Sequence, residues 1–329
     1  MKAFVYSGQQ GELELRDVAV PEPGPSEVLL RVETCGVCRT DLHVIDGELQ
    51  HPEIPVIPGH QIVGRVIRVG AAVTSRKVGD RVGVTWLSQS CGECGFCRSG
   101  RENLCSAAVF TGYTHDGGFA EYAVAGETYT VPIPSSLTSL EAAPLLCAGL
   151  IGYRAYSMTG SPQTLGIYGF GSAGHIVAQL AVQDGADVYA FTRDGDVAAQ
   201  ALAHAVGATW AGGTSESPSV RLSAAIIFAP AGELVPLALG AVEKGGSVIL
   251  GGIHMSDIPS FPYSLLWEER SLKSVANCTR EDAAGLFQRI ERTPVVPHVT
   301  AFPFLRTPEA IDGLRAGRIA GSAVLTLEG

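Results

Sequence analysis

The chain has 329 residues, 46% of them hydrophobic and 17% charged, which is enough apolar content for a large core and enough length for two domains rather than one. A net charge of −10, a pI near 5.3 and the lack of any Lys/Arg run argue against a nucleic-acid or anionic-membrane surface and leave a small-molecule partner. No apolar stretch reaches the roughly 18 residues needed to span a bilayer, and MKAFVYSGQQGELELRDV at the start lacks a basic segment followed by an apolar one, so a cytoplasmic protein is expected.

Taken in chain order, the first 130 residues carry short alternating runs such as EVLLRVE, IVGRVIRVG and RVGVTW, broken by Gly, Pro and Asp, and they predict a β-rich domain. The three prolines of VPEPGPSEV mark a rigid turn before the first of these runs. Next comes CGECGFCRSGRENLC, in which Cys91, Cys94, Cys97 and Cys105 can converge on one tetrahedral ion. A reducing compartment disfavours structural disulfides, so metal binding is the usual reason for thiols grouped in this way. Four protein ligands saturate a zinc ion and leave no place for substrate, which makes this a structural site; an iron–sulfur cluster is the rival occupant.

From about residue 150 the texture changes to strand, glycine turn and Ala-rich helix in repetition, from TLGIYGFG and AGHIVAQLAVQDG through ADVYAFTR to AAIIFAP and GSVILGG. This alternation predicts an α/β domain with a doubly wound parallel sheet. Within it, Gly169, Gly171 and Gly174 form G-x-G-x-x-G after an apolar strand and at the start of a helix, the context in which such glycines receive a dinucleotide diphosphate. The end, EAIDGLRAGRIAGSAVLTL, reads as a helix followed by a strand.

The stretches GVCRTDLH, IPGHQIVGRVIRVGAAVTSRKVGDRVGV, the four-cysteine loop, DGGFAEY, APLLCAG and GFGSAG together resemble the zinc-dependent alcohol dehydrogenases of the medium-chain dehydrogenase/reductase superfamily along nearly the whole chain. The resemblance implies a GroES-like catalytic domain over 1–150, completed by about 286–329, and a Rossmann dinucleotide-binding domain over 151–285. It implies an NAD(P)-dependent enzyme that moves a hydride between a primary or secondary alcohol and its aldehyde or ketone. A polyol dehydrogenase and a non-catalytic dinucleotide-sensing zinc protein are the alternatives, and Cys147, where many polyol enzymes use a carboxylate, counts against the first. Two zinc ions per chain are implied. Cys38, His60 and Cys147 match the ligands of the catalytic zinc, Asp41 matches the carboxylate behind the ligating imidazole, and Thr40 and His43 match the proton relay from the alcohol outward. An imidazole suits the last role because it titrates near neutrality. Trp86 resembles the aromatic that lines the alcohol pocket, so apolar or aromatic alcohols are expected; Met255, Tyr113 and Phe110 are further candidates for its border. Ser172 and Ala173 fall inside the glycine motif, and Thr192 with Arg193 resembles the Ser/Thr-Arg pair of NADP-using relatives, so NADP is expected over NAD, with Asp194 the acid that would favour NAD. Gln61 replaces the usual Glu after the ligating His, and Ser322 stands where many relatives carry a phosphate-binding Arg. Cys35 and Cys278 receive no role. A homo-oligomer, dimer or tetramer, is expected by analogy.

Overall fold

In the computed structural model, which describes residues 1–49 and 53–327, the β-rich part is organised around the long strand Glu27–Val37. It pairs antiparallel with Gln61–Val69, Tyr122–Gly126 and Ser322–Thr326, at the centre of a seven-stranded sheet that runs from Val299–Pro303 at one edge to Thr130–Pro132 at the other. The C-terminal strand therefore completes a sheet built by the N-terminal region. Leu30, Ile45, Ile62 and Phe119, each essentially inaccessible to solvent, fill the core of this part, and each such side chain contributes roughly 1.5–3 kcal/mol of burial.

The second sheet is six-stranded and parallel throughout, in the order Trp210–Gly213, Asp187–Thr192, Thr164–Tyr168, Leu222–Ile227, Val242–Leu250 and Ser271–Ser274. Numbered in chain order this is 3-2-1-4-5-6, the dinucleotide-binding arrangement in which the ligand crevice opens at the carboxyl end of the first strand. Its central strands are covered on both faces: Ala224, Ala225, Ile226 and Ile227 are consecutive and wholly buried, as in parallel sheets generally.

By compactness the chain divides into Met1–Cys147 with Asn277–Arg292 and His298–Gly329, and Ala148–Ala276 with Thr293–Pro297. The return to the first unit thus falls at residue 277, earlier than the 286 expected. Packing explains the difference: Glu102 accepts hydrogen bonds from the backbone N–H of Arg280 at 2.9 Å and from its guanidinium at 3.2 Å, and Asn277 donates to the Asn103 carbonyl at 3.1 Å. These contacts attach the start of the helix Arg280–Arg292 to the four-cysteine segment. No helix among the described residues is long and apolar enough to cross a membrane.

Candidate active site

Cys38 and His60 lie 22 positions apart in sequence, yet the register of two antiparallel strands, Gly36 opposite Gln61 and Cys35 opposite Ile62, puts them side by side just past the paired ends. His60 follows Gly59, whose φ of +94° and whose missing Cβ, which would sit 2.4 Å from the Phe119 ring, require glycine there. Cys147 arrives from the third direction. Its helix, Ser139–Pro144, is opened by a capping box in which Thr138 accepts from the Glu141 N–H and Glu141 accepts from the Thr138 N–H. Pro144 offers no N–H to the carbonyl four residues back, and the chain widens into a π-helical turn over Leu145–Gly149 that carries Cys147.

The three donor atoms form a compact triangle: Cys38 Sγ to His60 Nε2 3.5 Å, His60 Nε2 to Cys147 Sγ 3.3 Å, and Cys38 Sγ to Cys147 Sγ 3.9 Å. With zinc–sulfur bonds of about 2.3 Å and zinc–nitrogen bonds of about 2.0 Å, a tetrahedron has edges of roughly 3.8 Å between sulfurs and about 3.5 Å between sulfur and nitrogen. The triangle therefore fits one face of such a site, and among the described residues no fourth donor joins it. Electrostatics point the same way. The hydrogen bond its S–H donates to Cys147, burial and the nearby Cys147 charge hold the Cys38 thiol well above its usual range. Burial works against a His60 cation, but the Cys38 and Asp41 charges outweigh it and push the imidazole up to about 10. The pocket thus gathers negative charge that, without a cation, is met only by protons.

Asp41 is 1% exposed and has two tasks. Its Oδ2 accepts the Cys38 N–H at 2.8 Å, which starts the helix Arg39–Ile45, and its Oδ1 stands 3.3 Å from His60 Nδ1. That nitrogen has no well-angled hydrogen bond, so the ion pair with Asp41 is what orients the ring, and Nε2 is left facing the thiols. Thr40 lies half-buried on the same helical turn. His43 is also buried, and its Nδ1 is engaged by the carboxylate of Glu48. Glu48 escaped the sequence reading because a carboxylate five positions on, past a Gly-containing turn, leaves no periodic signal.

Trp86 meets the His60 ring edge-on, with centroids 4.9 Å apart at 78°. Its other neighbours are Phe110, stacked at 5.3 Å, and Tyr113, at 5.6 Å. These aromatics make one wall beside the thiol–imidazole triangle. Met255 packs instead against the core of the parallel-sheet unit. Gln61, 2% exposed, leaves its Nε2 without a hydrogen-bond partner, and its side chain lies where a Cβ on Gly36 would stand. Cys35 is wholly buried core.

Cys91, Cys94, Cys97 and Cys105 close a lobe held at its base by the antiparallel pair Leu87–Gln89 and Val109–Phe110. Sulfur separations of 3.5 Å for Cys91–Cys105, 3.5 Å for Cys94–Cys97 and 3.8 Å for Cys91–Cys97 again match tetrahedral edges of about 3.8 Å. Backbone N–H groups of Glu93 and Cys94 draw the Cys91 thiol down to about 6, and the Ser90 hydroxyl lowers Cys97. For Cys94 the help of the Cys97 N–H is outweighed by burial and by the neighbouring thiols, which leaves it at about 11. Two thiols drawn down from their usual range, Cys91 and Cys97, suit a metal clasp.

In the parallel-sheet unit, Gly169 adopts φ +93°, and a Cβ on it would stand 2.8 Å from the Ala229 nitrogen. A Cβ on Gly174 would stand 2.6 Å from the Gly169 carbonyl. Gly171 caps the helix Ser172–Gln183 with open space around it, so the Ser172 and Ala173 N–H groups stand at the positive end of a 12-residue helix. Thr192 ends the strand Asp187–Thr192 but is 3% exposed, its hydroxyl bonded inward to the Gly212 carbonyl at 3.2 Å. Arg193 projects outward, its side chain 78% exposed and 3.6 Å from Asp196. Asp194 accepts the Ser215 N–H. Ser322 is buried at the start of its strand.

Comparison with known proteins agrees with these features. Residues 24–135 match the alcohol dehydrogenase GroES-like domain. A probable alcohol dehydrogenase of Mycobacterium tuberculosis is 44% identical over 325 residues, covering 96% of this chain and 93% of that one. An alcohol dehydrogenase of Geobacillus stearothermophilus is 36% identical, covering 100% and 99%. Among solved structures, acetophenone reductase from Geotrichum candidum in complex with NAD superposes with a TM-score of 0.90 at 28% identity, covering 99% of this chain and 97% of that one. A thiol–imidazole triangle, a four-cysteine lobe, a six-stranded parallel sheet opening on a glycine motif, and relatives of this closeness over nearly full length make the chain a member of the zinc-dependent alcohol dehydrogenase family of medium-chain dehydrogenases/reductases.

Proposed function

We propose that this NAD(P)-dependent alcohol dehydrogenase holds a catalytic zinc on Cys38, His60 and Cys147 and a structural zinc on Cys91, Cys94, Cys97 and Cys105. The observation that carries the proposal is the triangle of three donors with tetrahedral edges, backed by a buried carboxylate at the ligating ring. When bound, zinc supplies Lewis acidity toward an alcohol or carbonyl oxygen, and the dinucleotide takes up or gives the hydride. The chain's own residues do the rest. Asp41 keeps His60 turned so that Nε2, not Nδ1, faces the donors. Thr40 takes the alcohol proton on its hydroxyl and passes it outward to His43, whose ring is held by the Glu48 carboxylate. The Trp86, Phe110 and Tyr113 wall excludes water and favours apolar or aryl alcohols over polyols.

The dinucleotide rests its diphosphate on the Ser172 and Ala173 N–H groups. NADP is the preferred cofactor, a reading supported by the exposed Arg193 and by the engagement of Asp194 elsewhere; the Thr192 hydroxyl faces the sheet, so its part is to end the strand where Arg193 can meet a 2′-phosphate. Homo-oligomeric assembly and a cytoplasmic location belong to the same proposal, the latter supported by six cysteines grouped as metal-ligand sets, as a reducing compartment allows. A panel of alcohols and carbonyls with NADP and NAD, run on zinc-loaded and chelator-stripped protein with metal content measured alongside, tests it. Turnover is expected to follow occupancy of the three-donor site, and full turnover after complete removal of metal refutes the proposal.

A further inference from the structure

The helix that follows the glycine motif carries a histidine for which the proposed reaction has no use. His175 is 0% exposed, although histidine is seldom buried without a task. Both its backbone N–H, at 3.1 Å, and its ring Nδ1, at 2.9 Å, reach the carbonyl oxygen of Gly171. An ordinary helix start gives that oxygen only the first of these bonds. A carbonyl cannot donate, so Nδ1 must carry the proton.

The consequence lies in the geometry of the peptide bond. The Gly171 C=O and the Ser172 N–H belong to one planar trans unit and point in opposite directions. Gly171 has φ −100° and ψ −144°, and no heavy atom lies within 4 Å of where a Cβ would be. Side-chain sterics therefore leave this peptide plane free to turn. Two donors on its carbonyl hold it with the oxygen directed down the helix, and the Ser172 N–H is thereby directed out of it, toward where the diphosphate would lie.

We propose that His175 is a positioning residue: it locks the Gly171–Ser172 peptide plane so that the Ser172 N–H is preset for the diphosphate of the dinucleotide. The lock rests on the dinucleotide reading given above and adds the residue that orients its anion site. Its product is affinity for the phosphates, not for the adenosine.

The test is calorimetric titration of ADP-ribose and of adenosine into the unaltered chain, His175→Leu and His175→Asn. The leucine keeps bulk without a donor, and the asparagine amide places an N–H near the position of Nδ1. His175→Leu is expected to weaken ADP-ribose about fivefold, the worth of one neutral hydrogen bond, and to leave adenosine unchanged. His175→Asn is expected to recover ADP-ribose affinity to within about twofold of the unaltered chain, since the same bond is remade. Unchanged ADP-ribose binding in His175→Leu, an equal loss for both ligands, or no recovery with asparagine overturns the lock. Nitrogen-15 NMR of the histidine-labelled unaltered chain tests it without any variant: the Nδ1–H tautomer is expected for His175, and the Nε2–H tautomer overturns it. Failure of the unaltered chain to bind ADP-ribose at all would instead refute the dinucleotide reading, before any variant is compared, and remove the lock with it.

Discussion

Replacing Asp41 by asparagine separates the charge behind His60 from everything else that residue does. The amide oxygen can still accept the Cys38 N–H now held at 2.8 Å, so the helix Arg39–Ile45 keeps its start, and even complete loss of that cap would cost only about 1 kcal/mol. What asparagine cannot supply is the anion 3.3 Å from His60 Nδ1. Removing such a partner of a metal-ligating imidazole weakens metal binding about 10- to 100-fold, or roughly 1.4–2.7 kcal/mol. Against a folding stability of about 5–15 kcal/mol the cap loss is minor, so metal affinity, not folding, carries the effect. Competition with a chromophoric chelator, counted as zinc per chain, should show the three-donor site emptying at 10- to 100-fold lower chelator strength while the four-cysteine site is unmoved. Asp41→Asn that keeps both metals as firmly as the unaltered chain would refute the orienting role; loss of both together would show that the substitution had unfolded the domain.

Further expectations bear on other parts of the structure. Gly59→Ala meets both a φ of +94° and the buried Phe119 ring 2.4 Å away, and should cost about 3 kcal/mol in urea unfolding, from left-handed strain plus overpacking; a loss below about 1 kcal/mol would mean that the turn relaxes freely. Glu127 accepts from the Thr74 and Ser75 N–H groups and the Ser75 hydroxyl at 2.9–3.0 Å, and the two backbone donors hold its carboxyl below the usual carboxylate range. A depressed folded-state value gives stability that is present above the unfolded value and lost as pH falls through the folded one. The stability gap between the unaltered chain and Glu127→Gln should therefore be full at pH 7 and close below about pH 4, the range of a free carboxyl; a gap independent of pH would refute it. Arg193→Ala should raise KM for NADP at least about tenfold with little change for NAD, the loss of one charge-assisted phosphate contact; equal effects on both would point to NAD as the natural cofactor.

Much of this site was legible because its chemistry is carried by residue type and spacing. Four thiols within fifteen positions, and glycines in a strand–turn–helix context, announce themselves without a structure. Cys38, His60 and Cys147 were identified only through the family resemblance, since nothing in the sequence states that Gly36 pairs with Gln61, the register that makes neighbours of the first two. Glu48 on His43, and Phe110 and Tyr113 on Trp86, depend on how turns fold back, which period and propensity do not encode. The return of the chain at 277 depends on Glu102 and Asn103, two polar residues inside a loop that reads as metal-binding only. Thr192 shows a finer limit: its position at the strand end was readable, the inward turn of its hydroxyl was not.

The π-helical turn that presents Cys147 makes the ion, once bound, a cross-link as well as a reagent. Cys38 and Cys147 are 109 positions apart in the chain, and an ion shared between them would close a loop of that length, withdrawing conformational freedom from the unfolded ensemble much as a covalent bridge does, by about 4–5 kcal/mol for loops of this size. Depletion of zinc would thus erode the endurance of the protein together with its turnover, and the segment to fray first would be the one with no N–H at Pro144 to hold it.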